Sequence, residues 1–526
     1  MKTRSMAALT TILVVAPLIA VAPGPQAAAQ PRPGGSARSA ESTLVGGIDL
    51  DTVTIPELQA RMARGSLSSV RLTLAYLRRI KAVDPRINAV LHTSPTALGQ
   101  AVASDIRHRL GRTRGPLDGI PVLLKDNVNT RDMPTTAGSL ALAGKPPATD
   151  AELVAKLRAG GAVILGKANL SEWANFRAAA PTSGWSAVGG QTHNPYVLDR
   201  NPCGSSAGSA AALAASLAQV AIGTETDGSI VCPAGMNAVV GLKPSLGVVS
   251  QLGVVPISAE QDTAGPMARN VIDTALTLSV LSGGTPAPDL AEAAARPGAL
   301  RGKRIGLWRL PVLGTEVDAL MTRTAERLRA AGAEIVEVDL PYQERLAELE
   351  FPALLSEFHR DIDAYLATRK GPRDLAELIE FNRTHPQEQT CFAGQELFEQ
   401  ALTAPSTTDP EYLAMRAELA DLSRRSIDEV MAAHNLDAIA SPANPPAWTT
   451  DCARGDNDVI PSSTPAAVAG YPSLSVPAGF VGELPVGLLL MAGDRQDADL
   501  LSLGAAVEHR LDGRRAPRYL PTLPTE

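Results

Sequence analysis

A chain of 526 residues is long enough for one large domain or for two or three ordinary ones, and a hydrophobic fraction of 45% is ample for a buried core. Aromatic residues make up only 3% of the chain, so that core must consist mainly of Ala, Val, Leu and Ile. The formal net charge is −7 and no basic run occurs, which argues against nucleic acid as a partner.

The N-terminus has the features of a signal peptide. Lys2 and Arg4 precede an apolar stretch over 6–22, and the alanines at 27–29 offer a small-x-small cleavage site. The alternative is a membrane anchor, but the apolar stretch is short and broken by prolines. No second stretch is long enough to span a bilayer, so we expect an exported protein with no stable membrane anchor.

The expected domain organisation follows from this N-terminus. Residues 1–29 are expected to be removed on export to the cell envelope or the medium, although the exact cleavage site stays open. Residues 30–48 are rich in Pro, Gly, Ser and Ala and are expected to be disordered, and residues 49–526 are expected to form a single domain.

Helical patterns alternate with short apolar runs along the rest of the chain. The patterns predict helices at 51–64, 66–83, 207–221, 318–331 and through most of the charged stretch 341–435. The apolar runs predict strands at 120–124, 162–165, 239–242, 248–249, 304–308, 334–338, 436–440, 474–477 and 486–491. Such an alternation favours an α/β fold.

The four cysteines fall into two kinds of sequence. Cys203 and Cys232 lie within serine-containing motifs and are expected to be small, buried apolar residues. Cys391 and Cys452 lie in polar, loop-like sequence and are expected to form a disulfide in an exported protein. No Cys-x-x-Cys or His-Glu-x-x-His pattern occurs, so no metal site is expected.

The first motif with possible chemistry is Gly-Ser-Ser-Ala-Gly at 204–208. It satisfies Gly-x-Ser-x-Gly with Ser206 at the centre, which is the pattern of a nucleophile elbow. The nucleophile elbow is typical of α/β-hydrolases, whose catalytic histidine follows the serine in the chain. His434 and His509 both follow Ser206. The alternative interpretation is a glycine-serine turn that caps the following Ala-rich helix.

The second motif is Gly-Thr-Glu-Thr-Asp-Gly-Ser-Ile at 223–230. Its small residues permit a tight loop in which successive backbone N–H groups point inward and stabilise an oxyanion beside an attacking serine. The alternative interpretation is an ordinary β-turn with Asp227-Gly228 as its signal.

Three lysines follow apolar runs: Lys125, Lys167 and Lys243. A lysine that reaches inward from such a run is desolvated, which lowers its pKa and lets it act as a base. The usual outcome is a lysine whose head group still reaches water, and the local sequence does not choose among the three.

Taken together and in order, the motifs resemble the amidase signature family, and the resemblance covers roughly residues 52–510. The segments that carry it are 119–127, 203–209, 223–230, 233–234, 241–244, 262–269, 472–479 and 484–487. The resemblance implies a large mixed β-sheet core covered by α-helices, with no cofactor.

The resemblance also implies a Ser-cisSer-Lys triad. Ser229 would be the nucleophile, Ser205 the bridging serine after a cis peptide bond, and Lys125 the base. The backbone N–H groups of Thr226, Asp227, Gly228 and Ser229 would form the oxyanion hole. This assignment moves the emphasis from Ser206 to Ser205 and selects Lys125 over the two other lysines.

Two departures from the commonest family pattern bear on the substrate. Asp227 stands where many members have glycine, and Cys203 stands where many have the first of two glycines. With the segments 171–177 and 183–192, these departures resemble the secreted bacterial peptide amidases, which release ammonia from C-terminal peptide amides. The expected partner is therefore a peptide or small-molecule amide, and the expected state is a monomer.

Other functions stay open from the sequence. The chain could be a general or aryl-acyl amidase of the same family, or an inactive secreted member that only binds amides or peptides. The amidotransferase role known in the family needs charged tRNA and cytoplasmic partner subunits, and the signal segment and acidic charge argue against it.

Overall fold

A mixed β-sheet of eleven strands organises the part of the chain that the computed structural model describes, residues 42–283, 300–456 and 462–524. The strand order in this sheet is β12-β11-β13-β15-β14-β9-β10-β8-β4-β5-β3. Its strands are β3 (Val90–Thr93), β4 (Pro121–Lys125), β5 (Val163–Ala168), β8 (Val220–Glu225), β9 (Val240–Lys243), β10 (Thr263–Ala268), β11 (Arg304–Trp308), β12 (Glu334–Val338), β13 (Ala438–Pro442), β14 (Ser473–Val481) and β15 (Leu484–Met491). The short strands β6 (Trp185–Ser186) and β7 (Gly190–Gln191) pair with each other outside this sheet.

Most of the helices pack against this sheet, and a few pack mainly on other helices in a separate apolar cluster. The helices within the described ranges are α1 (Ile55–Ala63), α2 (Ser69–Val83), α3 (Ala97–Arg109), α4 (Glu152–Ala159), α5 (Ala207–Ala214), α6 (Val231–Met236), α7 (Val271–Leu281), α8 (Thr315–Ala330), α9 (Gln343–Leu366), α10 (Leu375–Thr384), α11 (Glu396–Thr403), α12 (Pro410–His434), α13 (Thr464–Ala469) and α14 (Asp497–Leu511). The predicted α/β class with a large mixed sheet is confirmed.

The sheet is parallel only in two places. Strand β4 runs parallel to both β5 and β8, and β11 runs parallel to both β12 and β13, while the other neighbours are antiparallel. The carboxyl ends of β4 and β8 therefore meet at the same edge of the sheet, where Lys125 ends β4 and the predicted oxyanion hole at 226–229 directly follows β8.

The predicted helix over 207–221 is wrong beyond Ala214. Helix α5 stops because Ser216 adopts a positive φ of 54° and Leu217 N–H donates back to Ala212 O, which closes the last turn. The next apolar residues form β8, between β4 and β10. The alanine-rich composition hid this boundary because it suits a buried helix and gives no signal for its end.

Two other predictions also differ from the structure. Residues 248–249 form no strand, although Val249 is buried in the main core. The expected disorder over 30–48 is wrong for its last residues, since Leu44–Val45 (β1) and Ile48–Asp49 (β2) pair as a hairpin. Gly46 and Gly47 both have positive φ, as a two-residue hairpin turn requires.

Most of the prediction for the N-terminus concerns residues outside the described ranges. The expected signal peptide, 1–29, lies outside the described residues, and residues 40–526 form one compact unit. Among the helices of the described ranges, none has both the length and the apolar character needed to cross a bilayer.

Candidate active site

Two parallel strands bring Lys125 next to Thr224. Lys125 is the last residue of β4, and the register pairs Leu124 of β4 with Ile222 of β8. Lys125 Nζ donates to Thr224 Oγ1 at 2.8 Å and to Thr224 O at 3.1 Å, and Asn127 Nδ2 donates to the same hydroxyl at 2.9 Å. These hydrogen bonds hold the lysine head group in one position. The head group is fully buried.

Lys125 also meets the first of the two predicted catalytic serines. Its Nζ lies 2.7 Å from Ser205 Oγ, and both side chains are fully buried. Burial lowers the pKa of Lys125 to about 7, although the nearby carboxylates of Asp262 and Glu225 act in the opposite direction. The amine is thus available in its neutral form at ordinary pH, and a neutral amine accepts a proton from a hydroxyl.

Ser205 follows a cis peptide bond after Gly204, as the family resemblance implied. Its carbonyl oxygen accepts a hydrogen bond from Ser171 N–H at 3.0 Å. The backbone of the following residue, Ser206, donates from its N–H to Ser229 O at 3.1 Å. These bonds tie the segment around Ser205 to the loop that carries Ser229.

The loop at 226–229 presents its backbone N–H groups without protein acceptors. None of these four N–H groups donates a hydrogen bond to another described residue. The Glu225 carboxylate instead accepts from the next two N–H groups, those of Ile230 at 2.7 Å and Val231 at 3.0 Å. Gly228 has φ of 73°, a left-handed conformation that turns the chain just before Ser229. This arrangement can hold an oxyanion.

Ser229 lies at the wall of a cavity of about 260 Å³. Residues that line the cavity include Asn175, Ser183, Cys203, Asp227, Ser229 and Ser463. Ser229 is 9% exposed, whereas Ser205 is fully buried behind it. No hydrogen bond joins the Ser229 and Ser205 hydroxyls within the described residues, and catalytic contacts of this kind often shorten only when substrate is bound.

Ser206 has a structural position, so the nucleophile-elbow interpretation is wrong. Its Oγ donates to Thr224 O at 3.1 Å and accepts from Thr224 N–H at 3.2 Å, and it is fully buried. The two histidines that this interpretation needed also lie elsewhere. His434 ends α12, and His509 lines a separate cavity of about 550 Å³ together with Arg269.

The other two candidate lysines are buried but do not reach the serines. Lys167 Nζ forms an ion pair with Asp126 at 3.0 Å and donates to Val128 O at 2.7 Å. Lys243 Nζ donates to Pro244 O at 3.2 Å. Burial lowers the pKa of Lys243 to about 8 and also lowers the pKa of Lys167. Desolvation is thus common to all three, and only the contact with Ser205 distinguishes Lys125.

A disulfide between Cys203 and Cys232 crosses the site and corrects the expectation for these cysteines. Both are buried as expected, but they are bonded to each other rather than free. Cys203 precedes Gly204 and Ser205, and Cys232 follows Ser229 by three residues. The bond is thus a covalent tie between the two serine segments. The predicted disulfide between Cys391 and Cys452 is present.

Two acidic groups fix the oxyanion loop from outside. Asp262 accepts from Thr226 Oγ1 at 2.6 Å and from Ile257 N–H at 2.7 Å. Asp227 accepts from Thr464 Oγ1 at 2.6 Å. Burial, reinforced by the Asp227 charge, raises the pKa of Glu350 of α9 well above its usual range.

The sequence did not assign roles to several of these residues. Thr224 and Glu225 lie inside a quoted motif, but nothing local marks one as the lysine anchor and the other as a helix cap. Glu350 lies in α9, far from any motif. The disulfide had a usable signal, because its two cysteines flank the two serines in a chain expected to be exported.

Comparison with known proteins identifies the family of this chain. The amidase family model matches residues 71–501. The solved structure of the native peptide amidase from Stenotrophomonas maltophilia is 48% identical, with a TM-score of 0.84, and covers 89% of this chain and 99% of its own. A probable amidase of Arabidopsis thaliana is 37% identical over 90% of this chain and 92% of its own length. One chain of the glutamyl-tRNA(Gln) amidotransferase of Streptomyces coelicolor is 35% identical over 88% of this chain and 96% of its own.

The fold and the family match define a hydrolase that acts on amide bonds. The chain belongs to the amidase signature family.

Proposed function

We propose that the protein is an exported peptide amidase that removes ammonia from C-terminal peptide amides, with Ser229, Ser205 and Lys125 as its catalytic residues. The observation that carries this proposal is the 2.7 Å contact of Lys125 Nζ with Ser205 Oγ, behind a cavity that Ser229 lines. The likeness to the Stenotrophomonas peptide amidase supports the choice of substrate, and a second structure of a peptide amidase contains the competitive inhibitor chymostatin.

The mechanism begins with neutral Lys125. The lysine takes a proton from Ser205, Ser205 takes one from Ser229, and the Ser229 oxygen attacks the amide carbon. The negative charge that develops on the amide oxygen is stabilised by the N–H groups of the loop at 226–229. The relay then runs backwards and protonates the leaving ammonia, and water hydrolyses the ester on Ser229.

A substrate panel, a Ser229→Ala control and a serine-reactive probe together test this function. Ammonia release is measured on a panel of peptide amides, fatty amides and anilides, with Ser229→Ala as the matched control. Peptide amides are expected to give the highest kcat/KM, whereas preference for anilides or simple amides makes the chain an aryl-acyl or general amidase. A fluorophosphonate probe that labels neither protein would indicate an inactive member that only binds its ligand.

Export is the second part of the proposal. The charged and apolar pattern of residues 1–29 supports it, and so do two disulfides, which persist in oxidising compartments. N-terminal sequencing of protein recovered outside the cytoplasm is expected to begin near Gln30. A start at Met1 on a soluble cytoplasmic protein would contradict export.

A further inference from the structure

The outer face of α3 carries a row of exposed aliphatic side chains. Leu98, Val102, Ile106 and Leu110 are 40%, 48%, 50% and 62% exposed. They are four of the ten large hydrophobic side chains that are exposed among the described residues. Their spacing of four residues places them along one side of the helix, so they form a continuous row, which we name the α3 stripe.

The stripe is not part of the fold's own packing. The inner face of α3 is formed by Ala97, Ala101 and Ser104, all buried, and the two alanines pack against Val163 of β5. A surface helix normally has polar residues opposite its buried face. Here the outer face of α3 carries large aliphatic side chains instead, and the packing of the monomer gives them no role.

The acidic groups near the stripe are engaged in hydrogen bonds, whereas two arginines beside it are not paired with an acidic group of the described ranges. Asp105, the acidic residue of α3, faces inward and accepts from Ser69 N–H at 2.6 Å. Asp118 accepts from Arg107 Nε at 2.8 Å. Arg109 and Arg112 are exposed at the C-terminal end of the stripe, and neither forms an ion pair with a described residue. An acidic protein of net charge −7 thus has positive charge beside this exposed apolar row.

We propose that the α3 stripe docks the protein reversibly on a membrane surface that contains anionic phospholipids. The four aliphatic side chains would enter the boundary between head groups and acyl chains, and Arg109 and Arg112 would lie beside lipid phosphates. A patch of four side chains exposes a few hundred Å². A stable dimer buries about 800 Å² on each partner, so the stripe alone is too small for a stable contact between two copies.

The test is vesicle co-sedimentation of the full chain. Vesicles of phosphatidylcholine with phosphatidylglycerol are compared with vesicles of phosphatidylcholine alone, and the key variant is Ile106→Asp. Leu413→Asp is the matched control, because Leu413 lies on α12 and is 54% exposed, close to the 50% of Ile106. All variants keep the apolar N-terminal segment, so a difference between them reports on α3.

The expected results separate the apolar and the electrostatic parts. Ile106→Asp is expected to weaken binding to anionic vesicles by about tenfold or more, while Leu413→Asp binds like the unmodified chain. The double change Arg109→Ser and Arg112→Ser is expected to remove the preference for anionic vesicles and most of the salt dependence. Hydrolysis of a soluble peptide amide should stay unchanged in every variant, which shows that each one is folded.

Two results would overturn the proposal. One is equal vesicle binding by the unmodified chain and Ile106→Asp, including no binding by either. The other is a concentration-dependent dimer in sedimentation equilibrium that Ile106→Asp abolishes, since the stripe would then be a contact between two copies.

Discussion

The acid limb of the pH–rate profile tests the Lys125 assignment most directly. Burial lowers the pKa of Lys125 from 10.5 to about 7, and only the neutral amine accepts a proton. Activity should therefore be high above pH 7 and lost below it, with about 1% of the plateau kcat/KM left two pH units under the pKa. A lysine with its ordinary pKa of about 10.4 would be neutral in only about one molecule in 2,500 at pH 7.

Asp262→Asn is the informative perturbation. The Asp262 carboxylate stabilises protonated Lys125 and so raises its pKa against the effect of burial. Asparagine removes that charge, so the pKa of Lys125 should fall and the acid limb should move to lower pH. Burial raises the pKa of Asp262 itself to about 7, so the two groups titrate together in the unmodified enzyme.

The assay is kcat/KM on one peptide amide from pH 5 to pH 10, and Asp273→Asn is the control. Burial also raises the pKa of the Asp273 carboxyl, to about 6, but it does not act on Lys125. The acid limb of Asp273→Asn should lie at the same pH as that of the unmodified enzyme. An acid limb that stays at the same pH in Asp262→Asn would refute the electrostatic reasoning. Near-normal rates in Lys125→Ala would refute the triad.

The remaining predictions concern the nucleophile, the disulfides, a buried ion pair and histidine. Ser229→Ala should lower kcat by about 10⁴-fold or more and abolish the acyl-enzyme seen by mass spectrometry, with the melting temperature unchanged. The unfolded, unreduced protein should contain no free thiol, since each cysteine of the described ranges is paired. The double change Cys203→Ala and Cys232→Ala should lower the free energy of unfolding by about 3–4 kcal/mol in urea titrations, given the 29-residue separation. Lys167→Met should cost about 3–5 kcal/mol of that free energy, because it leaves a buried carboxylate unpaired. His509→Ala should leave the pH profile unchanged, and a collapse of activity would contradict a relay without histidine.

Contiguous patterns were the part of the site that the sequence could predict. Ser205, Ser229 and Lys125 each lie inside a short motif, and the motifs in order indicated one family. The sheet followed from short apolar runs, because a strand buried on both faces is apolar along its length. The helix boundary at Ala214 could not be predicted, since alanine suits a buried helix and a buried turn equally well.

Contacts between distant segments were the part that the sequence could not predict. Thr224 lies 99 residues from Lys125, and its hydroxyl acts as an anchor only because β4 and β8 are neighbours. Glu350 accepts from Gln261, 89 residues away, and its own helix has a local sequence that is typical of an ordinary amphipathic surface helix. The pairing of Cys203 with Cys232 likewise depends on the approach of two loops that only the folded sheet brings together.

One short segment of the chain supplies several groups of the site, and this has a consequence for protein engineering. Residues 224–231 supply the lysine anchor, the helix cap, the N–H groups without protein acceptors and the proposed nucleophile without interruption. An insertion or deletion there would displace every one of these groups at once, so a variant library should hold this segment at constant length. The cavity walls near Asn175, Ser183 and Ser463 come from other segments of the chain, so substrate range can be diversified there while the reacting groups stay in place.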